Sequence, residues 1–242
     1  MANPIKYSLE NKEKNVQEMF SSIAGKYDLN NTLLSLGIHT YWKRRVVQAA
    51  RIPEKGVILD IASGTGDIAI KLARKGKAGT KVISSDLNLE MLKVAAEKIK
   101  KKGMSEKVSV VQGNAEKMQF QDNAIDLITV GFGVRNFNNL QAGLHEIYRI
   151  LKPGGQFICL EFSKPTGFFW RKIYDFYSFI FLPRIGQWVS KDQTGVYQYL
   201  PDSIRKFPDQ EAFKEMMARE GFRNIDYRNL TGGIVAIHVG FK

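Results

Sequence analysis

Cysteine is almost missing from this chain of 242 residues. The single Cys159 excludes an internal disulfide framework and leaves no thiolate cluster to hold a metal. A reducing cytoplasm fits that composition. The first residues carry no targeting pattern, because Lys6, Glu10, Lys12, Glu13 and Lys14 interrupt any apolar stretch. No apolar run is long enough to span a bilayer. Internal repeats, low-complexity segments and domain linkers are also missing. Acids are the scarcer charge: 24 Asp and Glu against 36 Lys and Arg give a formal net charge of +12. That balance favours an anionic partner, nucleic acid or an anionic membrane surface, unless it reflects only a basic proteome background. The 44% of hydrophobic residues can build a sizeable core. The length fits one α/β domain with decoration, or two small ones.

What the chain does have is the stretch Val57 to Asp67, VILDIASGTGD. Val57 to Leu59 reads as a short buried parallel strand, and it ends on an acid, Asp60. A turn of small residues follows, through Gly64, Thr65 and Gly66. Then Ile68, Leu72 and Ala73 recur at helical spacing. Strand, glycine turn and helix N-terminus let backbone approach a ligand closely. Gly64, Gly66 and Ala69 also fit a dinucleotide fingerprint. Asp60 argues against that reading, since a carboxylate repels a pyrophosphate and suits a ligand with an ammonium and a sulfonium. A second acid, Asp86, ends the run Val82 to Ser85, at the right distance to accept hydrogen bonds from both ribose hydroxyls.

These residues resemble the first motif of the class I S-adenosylmethionine (SAM) methyltransferases. The resemblance implies SAM as the cofactor, held by Asp60, Gly64, Thr65, Gly66, Asp86, Asn114, Ala115 and Gly131. Asn114 follows the third strand, Val108–Val111, where its amide oxygen can accept a bond from an adenine amine. Nearer the N-terminus, Val16, Met19, Phe20 and Ile23 recur at helical spacing. The segment Tyr27 to Trp42 then packs Tyr, Asp, Asn, Ser, His and Trp into a short span. Residue by residue it reads as a capping turn, with Asp28 or Asn31 as N-cap and Gly37 as stop. As a string, Tyr27, Asp28, Asn31, Ser35, Gly37, His39 and Trp42 resemble the N-terminal signature of the UbiE/MenG family of quinone-biosynthesis C-methyltransferases. Asn30 departs from that family's usual Met.

Gly131-Phe132-Gly133-Val134-Arg135-Asn136 follows the fourth strand, Ala124–Val130, at what is the reaction edge of an open α/β sheet. Amine methyltransferases commonly carry Asn/Asp-Pro-Pro-Tyr/Phe there. This stretch has no proline, and its Arg and Asn suit a developing oxyanion. After helix Leu140–Leu151, Lys152-Pro153-Gly154-Gly155 reads as a turn, and Leu160-Glu161-Phe162-Ser163 ends the next strand. That run resembles the second signature of the same family, with Ile150 in place of Val. Pro165 to Asp192 is rich in aromatics, among them Trp170, Phe176, Phe179 and Phe181. Its polar face is narrow (Arg171, Lys172, Asp175, Ser178), which suits a core helix, a lid for a prenyl tail, a membrane contact or an oligomer interface. Helix Asp209–Glu220 and strands Ile225–Leu230 and Ile234–Gly240 close the chain.

The expected fold is α/β, a Rossmann-like sheet of seven strands with the last antiparallel. An N-terminal helical cap (12–50) and an aromatic helical insertion after strand five (164–200) complete one domain. The family resemblance implies C-methylation of a prenylated quinol in menaquinone or ubiquinone biosynthesis, most directly demethylmenaquinol to menaquinol. In that chemistry Arg135 stays protonated and holds a phenolate, while Asn136 orients the ring or a water. His39 and Tyr27 are the alternative proton acceptors, and no metal is needed. A cytoplasmic protein resting on the inner face of the membrane is expected, with a homodimer left open. Other SAM-dependent acceptors, such as a sterol, a phospholipid or a phenol, also fit. An RNA methyltransferase or RNA-binding protein is disfavoured, and no nucleic acid is expected.

Overall fold

β-branched runs and stretches of helical period alternate along the chain, and the backbone follows them. The computed structural model describes residues 12–167, 170, 172 and 196–242. Three helices come first: α1 (Lys12–Ile23), α2 (Tyr27–Leu34) and α3 (His39–Ala49). They are followed by β1 (Lys55–Ile61), α4 (Asp67–Lys75), β2 (Gly79–Asp86), α5 (Leu89–Lys101) and β3 (Val108–Gln112). Next come β4 (Ile125–Gly131), α6 (Leu140–Ile150) and β5 (Leu151–Phe162), and then α7 (Val196–Lys206), α8 (Gln210–Arg219), β6 (Arg223–Leu230) and β7 (Val235–Phe241).

The strands form one sheet in the order β3-β2-β1-β4-β5-β7-β6. β1 to β5 pair in parallel, while β7 runs antiparallel to both β5 and β6, as expected for the last strand. Successive residues of a strand feed opposite faces. Ile58, Ile158 and Leu160 join a core that also takes in Leu72 of α4 and Ile99 of α5. Leu59, Phe157 and Cys159 join the opposite core, with Leu144 of α6 and Phe213 of α8. Each such fully buried side chain contributes about 1.5–3 kcal/mol, so the central strands are fixed from both sides. The direction in which strands are added reverses between β1 and β4. The carboxyl ends of β1, β2 and β4 therefore flank a crevice, the usual ligand site of an open α/β sheet.

Several local readings need correction. α2 starts at Tyr27, so Asp28 and Asn31 lie inside the helix instead of capping it; the helix ends at Leu34 with Ser35 as C-cap, and Gly37 (φ 78°), expected as the stop, lies two residues past that cap, after Leu36 at φ 49°. Lys152-Pro153-Gly154-Gly155, read as a turn before the next strand, lies inside β5. The β4–β5 pairing jumps from Ile125–Leu151 to Leu127–Gln156, so the turn is a bulge within β5. α7 carries Pro201 inside it and continues to Lys206, past residue 200, where the helical insertion was expected to end. The expected aromatic insertion mostly lies outside the described residues, including Phe176, Phe179 and Phe181. Among the described residues no helix is long and apolar enough to cross a membrane.

Candidate active site

β1 delivers Asp60 to the floor of the glycine turn, where the side chain is 1% exposed. The sheet register sets Thr129 of β4 opposite it, and the Thr129 hydroxyl donates to Asp60 Oδ1 at 2.6 Å. The Ala69 N–H of α4 donates to Oδ2 at 3.2 Å. Burial outweighs these bonds and pushes the Asp60 carboxyl up to about 7. Asp86 ends β2. Its Oδ2 accepts from Gly64 N–H and its Oδ1 from Asn88 N–H, both at 2.8 Å. Burial again raises its pKa, against those backbone bonds. Leu87 N–H adds a third backbone bond, and a carboxylate with about four lone-pair sites still keeps acceptor capacity. Gly66 takes φ 77° as the residue before α4, and a Cβ there would come within 3.3 Å of Ala95 Cβ. Only a glycine fits that position without strain.

Two cavities open on this turn. The smaller, about 100 Å³, is lined by Gly64, Asp86, Asn114, Ala115, Gly131 and Asn136 among others. The larger, about 290 Å³, is walled by apolar side chains such as Leu34, Leu36, Ile38, Phe162 and Leu200, with His39, Asp60, Thr65 and Arg135 in the same wall. Tyr27, Ala62, Gly64, Gly131 and Phe132 belong to both, so the cavities meet at the glycine turn and the loop after β4. Leu36, Ala62, Asn123, Phe132, Asn224 and Thr231 are the described non-glycine residues with positive φ. Four of these six line the larger cavity, namely Leu36, Ala62, Phe132 and Thr231. Backbone strain of this kind concentrates at functional sites.

The donor set fits SAM. Asp86 offers acceptors only, as a ribose diol requires, and the two acids would repel a pyrophosphate. Seven of the eight expected cofactor residues line one cavity or the other, and Gly66 lies behind the turn. Asn114 Oδ1 already accepts from Glu116 N–H at 2.8 Å, which leaves it one lone pair. The Thr65 hydroxyl donates to Asp28 Oδ1 at 2.6 Å, tying α2 to the turn.

The expected catalytic residues are divided between the cavities. Arg135 is not a free cation. Its Nη1 donates to Glu161 Oε1 at 2.8 Å, and the two side chains are 7% and 2% exposed. Arg135 Nε is buried without a hydrogen-bond partner. Asn136 lines the smaller cavity, and its Oδ1 accepts from the Tyr199 hydroxyl of α7 at 2.8 Å. His39 lines the larger cavity, where burial and then Lys43 lower its pKa. Tyr27 stands in the shared wall with its ring edge-on to Phe20. Sequence reasoning missed Glu161 and Tyr199. Glu161 had a signal, because it ends an apolar strand as Asp60 does.

The model of the ubiE/COQ5 methyltransferase family matches residues 8–242. A protein from Pectobacterium carotovorum subsp. carotovorum (strain PC1), named ubiquinone/menaquinone biosynthesis C-methyltransferase UbiE, is 48% identical over 233 residues, 96% of this chain and 92% of that one. A protein of the same name from Erwinia tasmaniensis is 49% identical, over 94% of this chain and 90% of its own length. Among solved structures, a SAM-dependent methyltransferase from Thermotoga maritima superposes with a TM-score of 0.66 at 18% identity, covering 93% of this chain and 98% of that one. Phosphoethanolamine N-methyltransferase 2 of Haemonchus contortus, solved with SAM, superposes with a TM-score of 0.60 at 17% identity, over 83% of this chain and 52% of that one.

Proposed function

We propose the reaction from one premise: the chain belongs to the ubiE/COQ5 methyltransferase family. It is a SAM-dependent C-methyltransferase of ubiquinone/menaquinone biosynthesis, and its acceptor is a prenylated quinol, most directly demethylmenaquinol. The observation that carries this reading is the pairing of cavities. A small compartment holding Asp86 and Asn114 adjoins a larger apolar one that contains His39 and Arg135. A ribosylated cofactor suits the first and a hydrophobic ring with a tail suits the second.

SAM, when bound, supplies a methyl group made electrophilic by its sulfonium. The residues of the chain do the rest. The apolar walls exclude water, and Asp86 holds the ribose. The Arg135 guanidinium, steadied by Glu161, favours negative charge on an acceptor oxygen through whatever charge Glu161 leaves unbalanced. Asn136, held by Tyr199, keeps the loop after β4 in place.

The reading also gives the protein a peripheral contact with an anionic membrane. Leu29, Leu33 and Leu36 are 58%, 42% and 81% exposed, and Leu36 also lines the larger cavity, so the cavity opens beside them. The +12 net charge complements anionic headgroups. The test is incubation of pure protein with labelled SAM and, separately, demethylmenaquinol, a demethylated ubiquinol precursor and RNA. Label in a quinol is the expected result. Label in RNA alone would overturn the reading.

A further inference from the structure

His39 and Ser35 lie four residues apart, on the wall of the larger cavity. The Ser35 Oγ is 2.6 Å from the Asn31 carbonyl oxygen and 2.8 Å from His39 Nδ1. A hydroxyl has one proton, and a carbonyl oxygen can only accept. The Ser35 proton therefore goes to Asn31, and Ser35 Oγ faces His39 Nδ1 as an acceptor. The bond that remains is Nδ1–H to Oγ. A neutral imidazole carries one N–H, so Nε2 is left with its lone pair. Its one hydrogen-bond contact, with Thr40 Oγ1, is long at 3.5 Å.

We infer that Ser35 is a positioning residue that holds His39 in the Nδ1–H tautomer, so that His39 Nε2 takes the hydroxyl proton of the acceptor. This rests on quinol C-methylation as the reaction. Arg135 and Asn136 do not compete. Arg135 stays protonated and is engaged by Glu161, and Asn136 has no basic nitrogen. The step balances. The acceptor O–H breaks, its proton passes to Nε2, and the phenolate pushes density to the ortho carbon. That carbon bonds to the methyl carbon, while the old C–S electron pair stays on sulfur as a neutral thioether. The ring carbon then loses its hydrogen as a proton, which restores aromaticity. Nε2 gives its proton back to the acceptor oxygen, so the product is again a quinol, and the one proton released per turnover is that of the ring carbon.

The charged groups facing His39 come from three helices: Asp28 on α2, Lys43 on its own α3, and Asp67 and Lys71 on α4. Burial and the two ammoniums lower the pKa of His39, and the two carboxylates oppose them. The imidazole is thus neutral at pH 7 and able to accept a proton.

The chain has three histidines, His39, His145 and His238, so long-range proton–nitrogen spectra of the intact protein separate them. His238 is an internal control. Its Nε2 lies 2.9 Å from the Gln210 carbonyl oxygen, which fixes the opposite tautomer. The expected spectrum shows a protonated Nδ1 and bare Nε2 for His39, and the reverse for His238. Ser35→Ala should turn His39 into a tautomer mixture and leave His238 unchanged. A wild-type His39 with Nε2–H, or one that ignores Ser35→Ala, overturns the positioning role.

Single-turnover transfer to a short-chain demethylmenaquinol at saturating SAM tests the base. His39→Gln should slow it by on the order of 10²–10⁴ and remove the acid limb of the pH profile. Ser35→Ala should slow it less, and Ser35→Thr should restore it. A His39→Gln protein within threefold of wild type, with its acid limb intact, overturns the base role. A wild type inactive on every quinol would sink the reaction and the base role together, while the spectrum still decides the tautomer.

Discussion

Replacing Glu161 with glutamine should cost the protein about 3–5 kcal/mol of stability. The side chain is 2% exposed and faces Arg135, which is 7% exposed. Glu161 Oε1 accepts from Arg135 Nη1 at 2.8 Å and from Phe162 N–H at 2.9 Å, while Oε2 accepts from Arg135 N–H at 3.3 Å. Glutamine retains one acceptor oxygen and turns the other into a donor that meets an N–H. It also leaves the guanidinium buried with no countercharge. Arg135 packs over the Phe162 ring at 5.4 Å, a contact too weak to compensate for that loss. For a chain of this length the loss amounts to roughly 6–20 °C in Tm. Guanidinium unfolding of wild type, Glu161→Gln, Arg135→Met and the double variant gives the coupling directly. The double variant removes the uncompensated charge, so its loss should fall at least 2 kcal/mol short of the sum of the singles, roughly the upper range for contacting residues. Additive losses, within about 0.5 kcal/mol, would refute the claim that these two charges hold each other in place.

Arg135→Ala should lower single-turnover methyl transfer by about 10²–10³ while leaving SAM affinity near wild type; a failure of SAM binding alone would remove its place in the chemical step. Asp86→Ala should weaken SAM by about 2 kcal/mol, roughly 30-fold, in calorimetry, and unchanged affinity would withdraw Asp86 from the ribose. Asp60 has a folded pKa raised from 3.8 to about 7, so its contribution to stability is fully present below pH 3.8 and is lost as the pH rises through 7. Denaturation of wild type against Asp60→Asn should therefore diverge by up to about 4 kcal/mol between pH 4 and 7, and parallel curves would refute the burial argument. Replacing Leu29, Leu33 and Leu36 with Gln should reduce flotation with anionic vesicles at least tenfold, by loss of roughly 1.4 kcal/mol or more of apolar burial. Equal flotation would remove this face as the membrane contact.

The sheet was legible because its signals are local. Asp60 and Asp86 each end an apolar run, and each proves to be the last or next-to-last residue of a central parallel strand. Gly66 was legible for the same reason, since a turn into a helix at φ 77° needs a glycine. The pairing of Arg135 with Glu161 was not legible, because it depends on β4 and β5 being neighbours, which no spacing reveals. Thr65 was read as a cofactor contact, yet its hydroxyl is bonded to Asp28, which lies 37 residues earlier. α7 carries Pro201 inside it, a residue that local helix rules place at helix starts or ends. Local periodicity reports which face of an element is apolar. It does not report which polar side chains meet once the elements pack.

Those polar meetings grade how firmly the helices before β1 are fastened over the site. α3 is fixed by packing: Trp42 and Val46 are buried, and Trp42 Nε1 donates to Thr231 Oγ1 at 2.9 Å. Its Lys43 also pairs with Asp67 at 2.7 Å, with the two side chains 10% and 22% exposed. Burial raises the Asp67 pKa, but Lys43 and Lys98 together outweigh it and hold this carboxyl well below the usual range. α2 has no buried residue at all. Apart from cavity-wall contacts, its ties to the site are polar: Asp28 to the Thr65 hydroxyl of the turn, and Asp28 to Lys98 of α5, with Asp28 41% exposed. A pair that exposed is worth on the order of 1 kcal/mol or less. Local opening therefore costs least at α2, whose Tyr27 stands in the wall shared by both cavities. Of the three helices before β1, the one with no buried residue is thus the one that lines the junction of the two cavities, and α3, carrying His39, is the more firmly anchored.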